Sequence, residues 1–257
     1  MELNYKTFGQ GDPVVILHGL FGTLDNWQTI AKQLADTYSV FILDQRNHGR
    51  SPHADEHNYH ALAEDLRQFM EAHWMYDGAH VIGHSMGGKT AMQFALEHPD
   101  LVKKLVVVDI APKAYQGTHH EILEALLAMD LDNIADRSAA DAFLAERISA
   151  EDVRLFLMKN LTRKVGGGFE FKMNLPVLWK HYSDILAAVD GEPFEGETLF
   201  IRGGRSKHVT LPEDEVLVKK LFPNSNIQTV EGAGHWVHAE QPEALLGLVR
   251  AFLTEAA

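Results

Sequence analysis

The segment His80-Val-Ile-Gly-His-Ser-Met-Gly-Gly-Lys-Thr90 carries two chemical signatures at once. Gly83-His-Ser85-Met-Gly87 is G-x-S-x-G, the nucleophile elbow. There a serine sits on a sharp strand-to-helix turn, and small residues two positions either side let the turn close. Gly83 through Thr90 is also G-x-x-x-x-G-K-T, a loop whose backbone N–H groups and lysine hold phosphates. Leu105-Val-Val-Val-Asp109 would then pass as the magnesium-binding strand of such an enzyme. Both motifs need a strand before and a helix after, so the segment alone does not separate acyl transfer from phosphate binding. Glycines that merely make a strand–helix turn are a third reading.

The rest of the chain favours acyl transfer. An elbow serine needs a base, a carboxylate that orients the base, and a second oxyanion donor from the loop after an early strand. His18-Gly-Leu-Phe-Gly22 follows the apolar run Val14–Leu17, where that donor belongs. Gly232-Ala-Gly-His235-Trp236 follows the last β-branched run. A phosphate-loop enzyme has no use for either. The reading is Ser85 as nucleophile and His235 as general base, with the backbone N–H groups of Leu20 and Met86 as the oxyanion hole. Phe21, His84 and Trp236 flank these elements and are expected to line the acyl pocket.

These residues must be positioned by a mainly parallel sheet. Short β-branched runs at 14–17, 40–43, 80–82, 105–109, 198–201 and 226–230 alternate with patterns of helical period. The last helix places Leu245, Leu246, Val249, Phe252 and Leu253 on one face. Between about Ala111 and Val189 the alternation stops. That stretch has helical patterns, one glycine run (Gly166–Gly168) and Asn174 as a helix cap, with no buried strand. The expected organisation is a core of residues 1–111 and 190–257 with a mostly helical cap at 112–189, lying over the C-terminal edge of the sheet.

Composition narrows the chemistry further. The 257 residues include 15 histidines and no cysteine, with a formal net charge of −13. Disulfides, a thiol nucleophile and thiolate metal sites are excluded. The negative charge disfavours nucleic acid and anionic membranes. The start, Met1-Glu-Leu-Asn-Tyr-Lys, lacks a targeting pattern, and no stretch reaches membrane-spanning length, so the expectation is a cytoplasmic protein. No metal is expected: His53, His57 and His60, with Asp55 and Glu56 among them, read as a solvated polar loop, and His119-His120 as solvent-facing.

The chain resembles the α/β-hydrolase superfamily over nearly its whole length, and within it the YbfF-type serine esterases. The resemblance rests on His18-Gly-Leu-Phe-Gly22, Asp44-Gln-Arg-Asn-His-Gly-Arg-Ser51, Gly83-His-Ser-Met-Gly-Gly88, Val108-Asp-Ile-Ala-Pro112 and Gly234-His-Trp236. It implies an α/β-hydrolase fold with the cap inserted after the sixth strand. It bears also on the carboxylate. In many such hydrolases that group follows the strand at 198–201, but here Arg202-Gly-Gly-Arg-Ser-Lys-His208 contains no acid. Asp190, Glu192, Glu213 and Asp214 lie outside that loop, and Asp44 reads as a structural turn residue. Asp109 ends the strand after the nucleophile helix, next to the elbow in a right-handed crossover sheet, and the resemblance places the acid there too.

The expected function is hydrolysis of carboxylic esters or thioesters of small to medium acyl chains through an acyl-enzyme, without a cofactor. A carbon–carbon bond hydrolase or a perhydrolase shares the elbow; a phosphate-loop nucleotide-binding protein and a catalytically silent binding protein are the readings from other classes. The partners expected are a small-molecule substrate and, at most, further copies of the chain, as a monomer or small homo-oligomer. One charge feature lies outside the resemblance. Arg154, Lys159, Arg163, Lys164, Lys172 and Lys180, against Glu170 alone, form a basic run in the cap. Its ordinary meaning is a solvated face; the sharper expectation is a receptor for an anionic leaving group such as the phosphates of an acyl-CoA.

Overall fold

The computed structural model describes residues 1–117 and 119–254. Strands β1 (Tyr5–Phe8), β2 (Pro13–Leu17), β3 (Ser39–Leu43), β4 (Ala79–His84) and β5 (Val102–Val108) alternate with helices α1 (Gln28–Leu34), α2 (Tyr59–Ala72) and α3 (Met86–Glu97). There follow α4 (His120–Leu127), α5 (Arg137–Ala145), α6 (Glu151–Met158), the short strands β6 (Leu161–Arg163) and β7 (Phe169–Phe171), α7 (Leu175–Lys180) and α8 (Tyr182–Leu186). The chain ends through β8 (Thr198–Gly203), α9 (Glu213–Leu221), β9 (Ser225–Val230), α10 (Val237–Glu240) and α11 (Pro242–Thr254). Seven strands form one sheet in the order β1-β3-β2-β4-β5-β8-β9, parallel throughout except for β1.

The sheet is covered on both faces, which is why its central strands are apolar without alternation. Val15, Leu17, Val81, Leu105 and Val107 point into a cluster with α2, α3 and the elements inserted between β5 and β8. Val14, Ile16, Ile82, Val106 and Val108 point the other way, onto α1 and α11. In α11 Leu245, Leu246, Val249 and Leu253 are buried, as the helical period predicts. The register pairs His84 with Val108 and Val108 with Ile201. One further residue on each strand brings Ser85, Asp109 and Arg202 to a common edge.

Three details depart from the sequence reading. The insertion leaves the sheet after the fifth strand in chain order, not the sixth, because a single edge strand precedes β2. It contains a hairpin, β6–β7, across Gly166–Gly168, with Leu161 and Phe169 buried; three-residue strands are too short to show a period of two. Asn174 does precede α7, but its side chain does not cap the helix. It donates instead to Asn47 Oδ1 at 3.1 Å and ties the insertion to the loop after β3. Leu123, Leu126, Leu157 and Leu178 of the insertion share one apolar cluster with the sheet.

Candidate active site

Ser85 is the single residue between β4 and α3, and its backbone is forced into the left-handed region, φ 53° and ψ −120°. For a non-glycine residue that conformation costs on the order of 1–3 kcal/mol. The flanking glycines make the turn sterically feasible. A Cβ at Gly83 would lie 2.1 Å from the Gly87 carbonyl oxygen, and one at Gly87 would lie 2.4 Å from that of His18. Asp109 also adopts positive φ, 52°, where β5 ends. Its N–H donates to Ile201 O at 2.7 Å, and the Ser85 N–H donates to Val108 O at 3.0 Å.

Three side chains converge at this edge. His235, on the loop after β9, has Nε2 3.0 Å from Ser85 Oγ. Its Nδ1 donates to Asp109 Oδ2 at 2.7 Å. With the proton on Nδ1, Nε2 is left as the acceptor facing the serine. Asp109 is fully buried. Burial pushes its carboxyl pKa up, and hydrogen bonds from the Ser206 hydroxyl to Oδ2 and from the Gly203 N–H to Oδ1 pull against that rise. Burial holds the His235 imidazole below its ordinary value, so it is neutral at neutral pH. His208 lies flat against it, ring centroids 3.7 Å apart and planes at 21°. His84 Nε2 donates to the His235 carbonyl oxygen at 2.8 Å and braces the loop from the other side.

The loop after β2 is fixed by a separate set of bonds. His18 Nδ1 donates to Gly19 O at 2.8 Å, and the N–H of Gln45 donates to His18 Nε2 at 3.1 Å. Phe21 takes φ 61° and turns the chain back. Among the described residues, neither the Leu20 nor the Met86 N–H donates to another group. Asp44 is a turn residue: it accepts from the backbone N–H groups of Leu24 and Arg50 and from the Asn4 side chain.

Two cavities meet at Ser85, with Leu20 and His119 on the partition. The first, about 180 Å³, is lined by Met86, Ile110, Leu186, Tyr59, Tyr115 and Lys89 among others. The second, about 130 Å³, contains His235 and is lined by Phe21, His84 and Trp236 together with Phe156 and Val153 of the insertion. An open cleft of about 820 Å³ continues from His235 and Trp236 to the surface. The insertion thus supplies walls to both cavities.

Other expected residues fall elsewhere. Of the six basic residues only Lys159 borders the open cleft, where it meets Asp25, Asp152 and Glu240. Arg154 is held by Asp141 at 2.9 Å, Lys164 by Asp132 at 2.7 Å, and Arg163 stacks over Phe169. Lys172 lines a separate depression with Asp44 and Arg50, and Lys180 ends α7. None of these cavities is lined by more than one of the six, so they form no common anion site. The phosphate-loop reading fails on the same geometry: Lys89 Nζ donates to the carbonyls of Leu186 and Ala187, and the Thr90 hydroxyl donates to Met86 O of its own helix.

His119 lines both cavities rather than facing solvent, its ring packed against those of Phe21 and Tyr182, while His120 is exposed. His57 is buried between His48 and Asn47 instead of solvated. The ligand atoms of Asp109, His208 and His235 lie within 4.8 Å of one another, a spacing compatible with a metal ion. An ion held by His235 Nδ1 and Asp109 there would displace the hydrogen bond between them. Ser206 and His208 escape sequence reading because the loop after β8 has no acid. Their signal is a hydroxyl and an imidazole standing where an acid is absent.

Comparison with known proteins agrees with this architecture. Residues 12–242 match the family model described as the alpha/beta hydrolase fold. The chain is 38% identical over 245 residues to the esterase YbfF of Escherichia coli, covering 95% of this chain and 93% of that one. It is 38% identical over 249 residues to the sn-1-specific diacylglycerol lipase ABHD11 of Mus musculus, covering 93% and 80%. Among solved structures, a marine microorganism esterase superimposes with a TM-score of 0.95 at 41% identity, covering 98% of this chain and 99% of that one.

Proposed function

The chain belongs to the α/β-hydrolase fold family and is a serine hydrolase of carboxylic esters, and we propose that Ser85 is its nucleophile, His235 its general base and Asp109 the acid that orients the base. One observation carries this assignment: an unbroken chain from Ser85 Oγ to His235 Nε2 at 3.0 Å and from His235 Nδ1 to Asp109 Oδ2 at 2.7 Å. In the proposed reaction Ser85 Oγ attacks the ester carbonyl carbon while His235 Nε2 takes its proton. The carbonyl oxygen becomes an anion, received by the free N–H groups of Leu20 and Met86. The carbon–oxygen bond to the alcohol then breaks, and His235 returns the proton to the departing oxygen. Water, deprotonated by the same histidine, releases the acid from Ser85.

That proton path orients the substrate. The leaving group must stand beside His235, so the second cavity and the open cleft receive the alcohol, with Phe21, His84 and Trp236 on its walls rather than around the acyl chain. The first cavity, which His235 does not line, receives the acyl group. A cavity of about 150 Å³ admits benzene, so 180 Å³ suits a short acyl chain. Of the acids that line the cleft with Lys159, Asp25 is paired with Lys6 and Glu240 with Arg205, and Asp152 balances the lysine. The cleft therefore holds no excess cation for a polyphosphate leaving group and favours a neutral alcohol. No helix among the described residues is long and apolar enough to cross a membrane. The proposed setting is the cytoplasm, as a monomer or small homo-oligomer without a cofactor.

The test is fluorophosphonate labelling beside p-nitrophenyl acetate turnover. Both should be present in the native protein and both lost in Ser85→Ala. Turnover that survives the substitution would remove Ser85 from the reaction.

A further inference from the structure

Lys89 is 1% exposed, among the largest fully buried side chains of the protein. It lies one turn of α3 beyond Ser85, about 6 Å along the helix axis. Its ammonium donates to the carbonyl oxygens of Leu186 and Ala187, at the end of α8, and sits 4.7 Å from the Tyr115 ring centroid and 5.5 Å from that of Tyr59. No carboxylate acts on it among the described residues: burial is the sole influence on its pKa, which is pushed down to about 7. Lysine is almost never fully buried unless it is paired. This one lacks a counter-ion and forms part of the wall of the cavity that begins at the nucleophile.

We propose that Lys89 is a specificity-determining residue whose ammonium receives a carboxylate at the far end of the acyl chain, so that half-esters of short dicarboxylic acids are substrates. The proposal rests on the assignment of the first cavity to the acyl group. The lining offers what such a chain needs. Leu20 and Met86 flank Ser85, and Ile110, Ile185 and Leu186 are apolar walls for methylenes. Lys89 stands beside Leu186, between two aromatic faces. The Tyr59 hydroxyl is committed to Ile185 O and the Tyr115 hydroxyl to His208 O. Lys207 also lines the cavity but is exposed, so the Lys89 ammonium is the buried cation available there to an anion. Two carbonyl oxygens use two of its three donors, and the third remains for the ligand. An ion pair formed there is screened little by salt and gains from the low local dielectric.

The experiment compares monomethyl succinate, glutarate and adipate with methyl butanoate, pentanoate and hexanoate by pH-stat. The native protein is expected to hydrolyse at least one half-ester with kcat/KM no lower than that of its neutral counterpart. In Lys89→Met the ratio of half-ester to neutral-ester kcat/KM should fall at least tenfold. A native protein that rejects every half-ester overturns the proposal, as does a variant that loses both substrate types equally, the signature of an anchor for the insertion. If the variant does not fold, inhibition of the native protein decides. Adipate inhibiting methyl butanoate turnover more strongly than hexanoate supports the proposal, and the reverse overturns it. Turnover of the neutral esters with Ser85 labelling reports on the ester hydrolase itself, so a failure of that reading is seen separately.

Discussion

The Ser206 hydroxyl donates to Asp109 Oδ2, the same oxygen that accepts the His235 Nδ1–H. The hydroxyl therefore helps to hold the carboxylate in its charged form and fixes the oxygen to which the base is aligned. A hydrogen bond to a charged group is worth about 1.5–3 kcal/mol. Ser206→Ala is accordingly expected to lower kcat roughly ten- to a hundredfold with little change in KM, measured on p-nitrophenyl acetate. An unchanged kcat would make Ser206 a loop residue only.

Asp109→Asn tests the acid more severely. The amide is close to isosteric, but it presents an N–H to His235 or leaves Nδ1 to change tautomer, and Nε2 then carries the proton towards Ser85. The expected loss in kcat is about 10⁴-fold, with fluorophosphonate labelling slowed in parallel. Gly203 N–H and Ser206 Oγ still reach the side chain, so the variant should remain folded. Folded protein with near-native turnover would return the role to another carboxylate.

The acid limb of kcat/KM follows from burial. In the proposed reaction His235 must be neutral to accept the serine proton, and burial holds its pKa below the ordinary value of about 6.5. The limb should therefore have its midpoint below 6.5, in His208→Ala as well as in the native protein. A midpoint at or above 6.5 would mean that the Asp109 charge outweighs the loss of solvent around the ring.

Stability should fall in the same direction through other residues. His18, His48 and His84 are buried and His238 is half-buried, all with pKa values lowered by loss of solvent, and His57 is held down to about 3. In the unfolded chain each titrates near 6.5. Between those limits the unfolded state binds more protons, so stability rises with pH. It is complete above about 6.5 and is lost progressively as the pH falls towards about 3. The melting temperature should drop steadily from pH 7 to pH 5; a flat profile over that interval would contradict the burial of these rings.

The sequence carried the site further than the details of the fold. The proposed residues are legible because Ser85 and Asp109 directly follow β4 and β5 and His235 lies on the loop after β9, and strand ends are marked by β-branched runs meeting glycine or polar residues. The backbone oxyanion donors are implied by the same positions. Ser206 and His208 could not be read, since nothing in Arg205-Ser-Lys-His208 shows that the loop folds back over Asp109. The basic run misled for a related reason. Proximity in sequence is not proximity in space: the six residues are spread over α6, β6, α7 and the segments between, and Asp141 and Asp132 neutralise two of them. The lysine of the apparent phosphate loop belongs to the helix rather than the loop, which the spacing alone does not reveal.

Two glycine substitutions separate close packing from mere backbone freedom. At Gly87 a Cβ would meet only main-chain atoms: His18 O at 2.4 Å, Leu17 O at 2.5 Å and Leu17 C at 2.7 Å. None of these is the end of a flexible side chain, and all belong to the strand and loop that carry the Leu20 donor. Gly87→Ala must push α3 away from β2, and a loss of about 2–4 kcal/mol is expected by analogy with overpacked cores and strained turns. Activity should fall with it, because the same displacement widens the gap between the Leu20 and Met86 N–H groups. Gly247 gives the opposite case. It is exposed in the middle of α11, and a Cβ there would meet nothing within 4 Å. Gly247→Ala should stabilise the protein by about 0.5–1 kcal/mol through helix propensity alone, leaving kcat unchanged. Chemical denaturation of both variants beside the native protein checks the pair. A stable Gly87→Ala variant with native activity would show that the elbow does not pack against β2 in the way these distances require.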